Sequence, residues 1–217
     1  MAVLQPYYNE DPEIVEAGID EAGRGPMFGR VYVAAVVLPK DTDKEVYDHS
    51  IMKDSKRFHS RRKIREVYDY IKENAVSYCV AYEEAESIDL INIRQAVLQG
   101  MHNSIDGLTA RPNLLLVDGN DFKPYIKFKD DVWEQTQHIC IKGGDNKFTS
   151  IAAASILAKV ERDEWIDKMC DENPELDEIY GIRSNKGYGS KNHLEAIAKN
   201  GISKWHRRSY GICKNFE

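Results

Sequence analysis

Two short apolar runs flank a glycine-rich turn between Val15 and Leu38. The first closes on an acidic pair, Asp20-Glu21, and the second, Val31-Tyr32-Val33-Ala34-Ala35-Val36-Val37-Leu38, is rich in β-branched residues, as a buried strand would be. The pattern predicts a strand, an acidic pair, a turn at Gly23-Arg24-Gly25 and a second strand. Farther along, Ile64, Val67, Tyr68 and Ile71 recur at helical spacing, which predicts a helix over 61–73 capped by Ser60. Residues 75–82 read as a third strand, and Ile93, Ala96, Val97 and Met101 predict a helix over 92–104. Beyond Arg111-Pro112, the unbroken run in 113–119 reads as a central strand covered on both faces, as in a parallel sheet. A short strand over 138–141 and Lys142-Gly143-Gly144-Asp145 precede a helix over 148–169. Its Ala152, Ala153, Ala154, Ser155 and Ala158 would let it lie close to the sheet. Asn173-Pro174 ends that helix, and Ser190 and Gly201 bracket a last one over 191–200. The expected fold is α/β, a mixed central sheet flanked by helices. It forms one domain over 1–217, with 171–217 as a helical C-terminal part.

The 217 residues suffice for a substantial core. No apolar run approaches the ~18 residues that span a bilayer, and Met1-Ala2-Val3-Leu4-Gln5-Pro6 lacks the marks of a secretory signal. A soluble, intracellular, cytoplasmic protein without a membrane partner is expected. Cys79, Cys140, Cys170 and Cys213 are widely spaced, which argues for reduced thiols rather than a zinc site or disulfide framework. A net charge of −6 would ordinarily oppose a nucleic-acid partner. The basic residues are segregated, however: Lys53, Lys56, Arg57, Arg61, Arg62, Lys63 and Arg65 form one cluster, and 183–214 holds another. Segregation permits a positive face on an acidic protein.

The candidate chemistry lies in acids at strand ends. Asp20 and Glu21 close the first strand, Asp118 closes a later one, and Asp145 sits between a strand and the long helix. Such positions converge at one edge of an open α/β sheet. Clustered carboxylates with no histidine or thiolate spacing favour a hard cation, Mg²⁺ or Mn²⁺. A pair of ions ~3.5–4 Å apart can activate water and stabilise a leaving oxygen in phosphodiester cleavage. Asp163 lies ~22 Å along the long helix from its start, so an ion pair is its expected role. Asp121 and Asp130 are expected to be surface acids of a polar loop.

Several motifs together resemble the type 2 ribonuclease H family, ribonuclease HII, in its bacterial style. They are Asp20-Glu21-Ala22-Gly23-Arg24-Gly25-Pro26, Asp54-Ser55-Lys56, Val117-Asp118-Gly119, Lys142-Gly143-Gly144-Asp145, the Ala152–Asp163 run, Lys186-Gly187-Tyr188-Gly189 with His193-Leu194, and His206-Arg207-Arg208-Ser209. The resemblance spans about 15–210. It implies a ribonuclease H-like fold and a metal-dependent endoribonuclease that cuts the RNA strand of RNA–DNA hybrids. It further implies nicking on the 5′ side of ribonucleotides embedded in duplex DNA, a step of ribonucleotide excision repair, leaving 3′-hydroxyl and 5′-phosphate ends.

By position in those motifs, Asp20, Glu21, Asp118 and Asp145 would be the catalytic, metal-binding carboxylates, holding two Mg²⁺ or Mn²⁺ ions during turnover. Gly23, Arg24 and Gly25 match the loop that reads the ribose 2′-hydroxyl, the group that distinguishes RNA from DNA. Lys56 matches a phosphate contact, and Tyr188 matches the residue packed on the sugar at the junction. The helical part over 171–217 would help bind substrate. Asn92 is either a backbone contact or a helix cap, and Arg207 and Arg208 either grip phosphates or dock the tail. His193 and His206 are expected to hydrogen-bond structurally. Phe28 and Arg30 depart from the family pattern; Arg30 is a candidate extra phosphate contact, and Phe28 bears on loop packing. A monomer is expected, and no sliding-clamp motif is recognisable at the C-terminus.

Overall fold

The computed structural model describes residues 4–216; the Met1–Val3 part of the expected leaderless start lies outside them. Strands β1 (Glu16–Ala22) and β2 (Val31–Val37) are joined by the glycine turn, followed by helix α1 (Arg61–Asn74), β3 (Ser77–Glu83), α2 (Ala85–Asp106) and β4 (Leu114–Asp118). A hairpin of β5 (Ile126–Lys129) and β6 (Val132–Gln135) leads to β7 (Gln137–Ile141), then α3 (Thr149–Glu172). The C-terminal part holds α4 (Glu175–Tyr180), α5 (Ile182–Asn185), α6 (Lys191–Asn200) and a final 3-10 turn. The central sheet has the order β3-β2-β1-β4-β7, with β1 antiparallel to β2 and parallel to β4. It is therefore mixed, as expected.

Strand alternation sorts β2 between two layers. Tyr32, Ala34 and Val36 face α1 and α3, whereas Val31, Val33, Ala35 and Val37 face α2. The small residues of α3 do what their size predicts. Ala152, Ala153, Ala154 and Ala158 are fully buried, and a Cβ on Gly18 of β1 would lie 2.2 Å from the Ser150 carbonyl carbon. Backbone thus lies almost against backbone. This seats the start of α3, and the acid before it, beside the ends of β1 and β4.

Two expectations need correction. The helix expected from Asn92 begins at Ala85, with Asn92 at φ 67° and ψ 159° as a break inside it. The Asn92 side chain accepts from the Gln95 N–H at 3.1 Å, so the residue caps the second half; the first turns read as charge because Glu84, Glu86 and Asp89 surround Ile88. The loop after Asp118 is not uniformly polar, because β5 and β6 form a ladder in which the Phe128 and Trp133 rings pack at a tilt with centroids 5.0 Å apart. Among the described residues no helix is long and apolar enough to cross a membrane.

Candidate active site

The register of β1 against β4 pairs Ile19 with Val117, so Asp20 and Asp118 follow side by side on neighbouring parallel strands. Ile19 and Val117 both pack under α2, and alternation turns the two aspartates to the opposite, α3 side. Asp20 is 6% exposed, accepts from the Glu21 N–H at 2.7 Å and is hydrogen-bonded by Ser155 of α3. Asp118 Oδ1 accepts from the Gly144 N–H at 2.7 Å, which ties the acid on β4 to the residue before Asp145. Asn146 donates its amide to Asp145 at 3.1 Å and to Asp54 at 3.3 Å. Glu21 follows the alternation to the α2 side, where Arg24 reaches it at 3.4 Å and the two line a small cleft with Asp118 and Gly119.

The structure thus brings Asp20, Glu21, Asp118 and Asp145 to one edge of the sheet, as a row of neighbours. Among the described residues no three acidic, histidine or cysteine side chains close on a single point. Burial, then the charges of Glu21 and Asp118, hold the Asp20 carboxyl well above the usual range. Burial also raises Glu21, with Asp118 adding to it against Arg24 and Lys56. Asp145 is raised by burial and then by Asp54 and Asp118, with Asn146 and Lys56 opposing. Like charges ~4 Å apart repel by about 4 kcal/mol at an effective dielectric near 20. An oxygen-only donor set under that repulsion, with Asp20 and Asp145 buried and Glu21 and Asp118 half-buried, fits a hard divalent cation.

Asp163 pairs with Lys159 one helical turn away, and Asp121 holds Arg94 at 2.6 and 2.8 Å. Both are structural ion pairs, as expected of Asp163. Lys56 is exposed on the 3-10 turn Ser55–Arg57, which Asp54 caps and the buried Ser55–Ser155 contact of 3.0 Å anchors to α3. The exposed Tyr188 ring lies beside the turn; a Cβ on Gly25 would be 3.5 Å from it. Lys56, the glycine turn and Tyr188 therefore border the acidic edge from different elements.

Beneath the turn lie two buried guanidiniums. Arg207, 0% exposed, donates to the carbonyls of Gly23 (2.7 Å), Arg24 (3.2 Å), Pro26 (2.7 Å) and Gly29 (2.8 Å). Arg162 donates to those of Phe28, Arg30 and Lys186. Burial lowers both, Arg207 to about 10, so it remains charged at neutral pH. Arg207 thus docks tail to turn and grips no phosphate, whereas the Arg208 side chain is exposed and only the residue's backbone N–H donates to Asp89, at 2.7 Å.

His193 and His206 form a chain of fixed polarity. The Ser203 N–H donates to His206 Nδ1 at 3.0 Å, so His206 Nε2–H donates to His193 Nε2 at 3.0 Å and His193 Nδ1–H to the Tyr188 carbonyl at 2.9 Å. Phe28 is fully buried against Trp165 and His206, so it packs the turn from below. Arg30 is a correction: it is bound by Glu84 at 2.5 Å and lies 3.8 Å from the Tyr82 ring centroid, so its charge is already engaged. The C-terminal basic cluster is partly spent likewise, since Arg183 and Lys186 bind Asp171 and Asp167, each at 2.6 Å. Sequence reading missed Ser155, Asn146 and Tyr210, whose hydroxyl donates to the Arg24 carbonyl at 2.8 Å. Asp54 was legible only as the neighbour of Lys56.

Solved structures share this architecture. One is the ribonuclease H2 from Pyrococcus horikoshii OT3, with a TM-score of 0.74 and 23% identity, covering 93% of this chain and 96% of that one. Another is Bst-RNase HIII in complex with Mn²⁺, with a TM-score of 0.60 and 18% identity, covering 86% and 70%. The fold is thus ribonuclease H-like. The family model described as Ribonuclease HII matches residues 17–213, and a Ribonuclease HII of Bacteroides fragilis is 41% identical over 212 residues, 97% of this chain and 94% of that protein. The chain belongs to the ribonuclease HII family, and with that to the ribonuclease H type of nuclease hydrolases.

Proposed function

We propose that the chain is an endoribonuclease that cuts the RNA strand of RNA–DNA hybrids and nicks duplex DNA 5′ of single embedded ribonucleotides. Asp20, Glu21, Asp118 and Asp145 would hold Mg²⁺ or Mn²⁺ in this reading. When bound, a pair of such ions supplies an activated water and charge stabilisation for the leaving oxygen, which leaves 3′-hydroxyl and 5′-phosphate ends. The carboxylates orient the ions, the 23–25 turn offers main-chain groups to the ribose, Tyr188 abuts the sugar and Lys56 meets a phosphate. The part over 171–216 would complete the binding face, and the enzyme would act as a cytoplasmic monomer.

One observation carries the reading: Asp20 and Asp118 lie abreast on parallel strand ends, with the exposed Arg24 and Gly25 of the turn and Tyr188 at the same edge. The test is a duplex with one ribonucleotide, incubated with Mg²⁺, Mn²⁺ or EDTA. A single 5′ nick that EDTA abolishes is expected. Cutting of long hybrids alone would remove the nicking half, and binding without product would remove catalysis.

A further inference from the structure

The contacts beneath the glycine turn specify how its upper side is presented. No peptide bond among the described residues is cis. In a trans peptide the carbonyl and the following N–H point in opposite directions across one plane. The Gly23 carbonyl faces Arg207 at 2.7 Å, so the Arg24 N–H points away from it. The Arg24 carbonyl accepts from Tyr210 Oη at 2.8 Å and Arg207 at 3.2 Å, so the Gly25 N–H points away as well. Burial agrees: Gly23 and Arg207 are buried, whereas Arg24 and Gly25 are exposed beside Tyr188. Gly23 has φ +93°, and Arg162 occupies the place of any Cβ it might carry, 2.2 Å from its Nε, so the turn is held in this orientation from a second side.

We propose that Arg207 and Tyr210 are positioning residues for recognition of the ribose 2′-hydroxyl. They hold the 23–24 and 24–25 peptide planes with their N–H groups outward, as a preformed pair of donors. The inference rests on the function proposed above and adds which side chains orient the reading loop. Lysine at 207 keeps a charge but lacks the planar fork that spans four carbonyls. Phenylalanine at 210 removes one hydroxyl and keeps the ring.

The test compares affinities for two duplexes of one sequence, all-deoxy and with a single ribonucleotide, with Ca²⁺ replacing Mg²⁺ to hold binding without turnover. The measured quantity is the ratio of the two dissociation constants, which a loss of folded fraction would leave unchanged. The wild-type chain is expected to prefer the ribonucleotide duplex about tenfold or more; Arg207→Lys should narrow that ratio about fivefold and Tyr210→Phe about threefold, as expected for lost buried and half-buried hydrogen bonds. If Arg207→Lys does not fold, Tyr210→Phe decides alone. Wild-type ratios in folded variants overturn the inference and leave the function standing. No preference in the wild-type chain overturns ribose reading itself, and the inference with it.

Discussion

Buried charge is handled in opposite ways on the two sides of the glycine turn. On the strand-end side, Asp20, Glu21 and Asp145 are crowded by like charge and burial and pushed toward the neutral form. On the underside, Arg207 is as buried, yet four carbonyl dipoles satisfy it in place of a carboxylate. A cation solvated by fixed carbonyls is complete within the protein and acts as scaffold. Carboxylates left to repel one another are complete only with a ligand of opposite charge, so the arginine side is scaffold and the carboxylate side is the one suited to a cation.

The sharpest break between them is Asp118→Asn, which should lower turnover on the order of 10³-fold, equivalent to several kcal/mol of charge stabilisation, while changing hybrid affinity only a few-fold. Single-turnover rates beside equilibrium binding check this; a near-native rate would remove Asp118 from the site. Arg207→Met should instead cost stability, about 3 kcal/mol for carbonyls left buried and unpaired, whereas Arg208→Met next door should cost under about 0.5 kcal/mol. Urea midpoints at constant slope measure the difference.

Acidity separates the regions by sign. Burial, then the charge of His193, pushes His206 down to about 4, so the unfolded chain binds the proton first. Its contribution is present above the ordinary histidine value near 6.5 and is lost as pH falls toward 4, up to about 3 kcal/mol. The raised carboxyls act the other way, because the folded state takes up their protons first and repulsion is relieved as pH falls. Melting temperatures between pH 7 and 4 should therefore drop less in wild type than in a chain with Asp20→Asn and Asp145→Asn.

Smaller effects sharpen the picture. Tyr188→Ala should slow single-ribonucleotide nicking about tenfold and long-hybrid cutting less, consistent with ~1–3 kcal/mol for an aromatic contact to nucleic acid; equal losses would contradict a junction role. Millimolar Mg²⁺ should stabilise the wild-type chain by about 1 kcal/mol and Asp118→Asn by less, read as a shift in melting temperature.

The amino-acid order alone carried the strands of the central sheet, the long small-residue helix and the acids at strand ends, because side-chain periodicity and turn chemistry are local; it did not carry the β5–β6 hairpin. It also carried the Ser60 and Ser190 caps, which the structure shows accepting from Lys63 and His193. It did not carry the break at Asn92, whose cap signal belonged to the second half of a longer helix. Nor did it separate Arg207 from Arg208, adjacent residues of one type, one buried and one exposed. That choice depends on which faces the turn some 180 residues upstream, as do the engagement of Arg30 by Glu84 and of Asp20 by Ser155. Local pattern selects which residues can bear charge at a strand end; only chain packing decides which charges are answered within the protein, since electrostatic compensation depends on distance in space and not on separation along the chain.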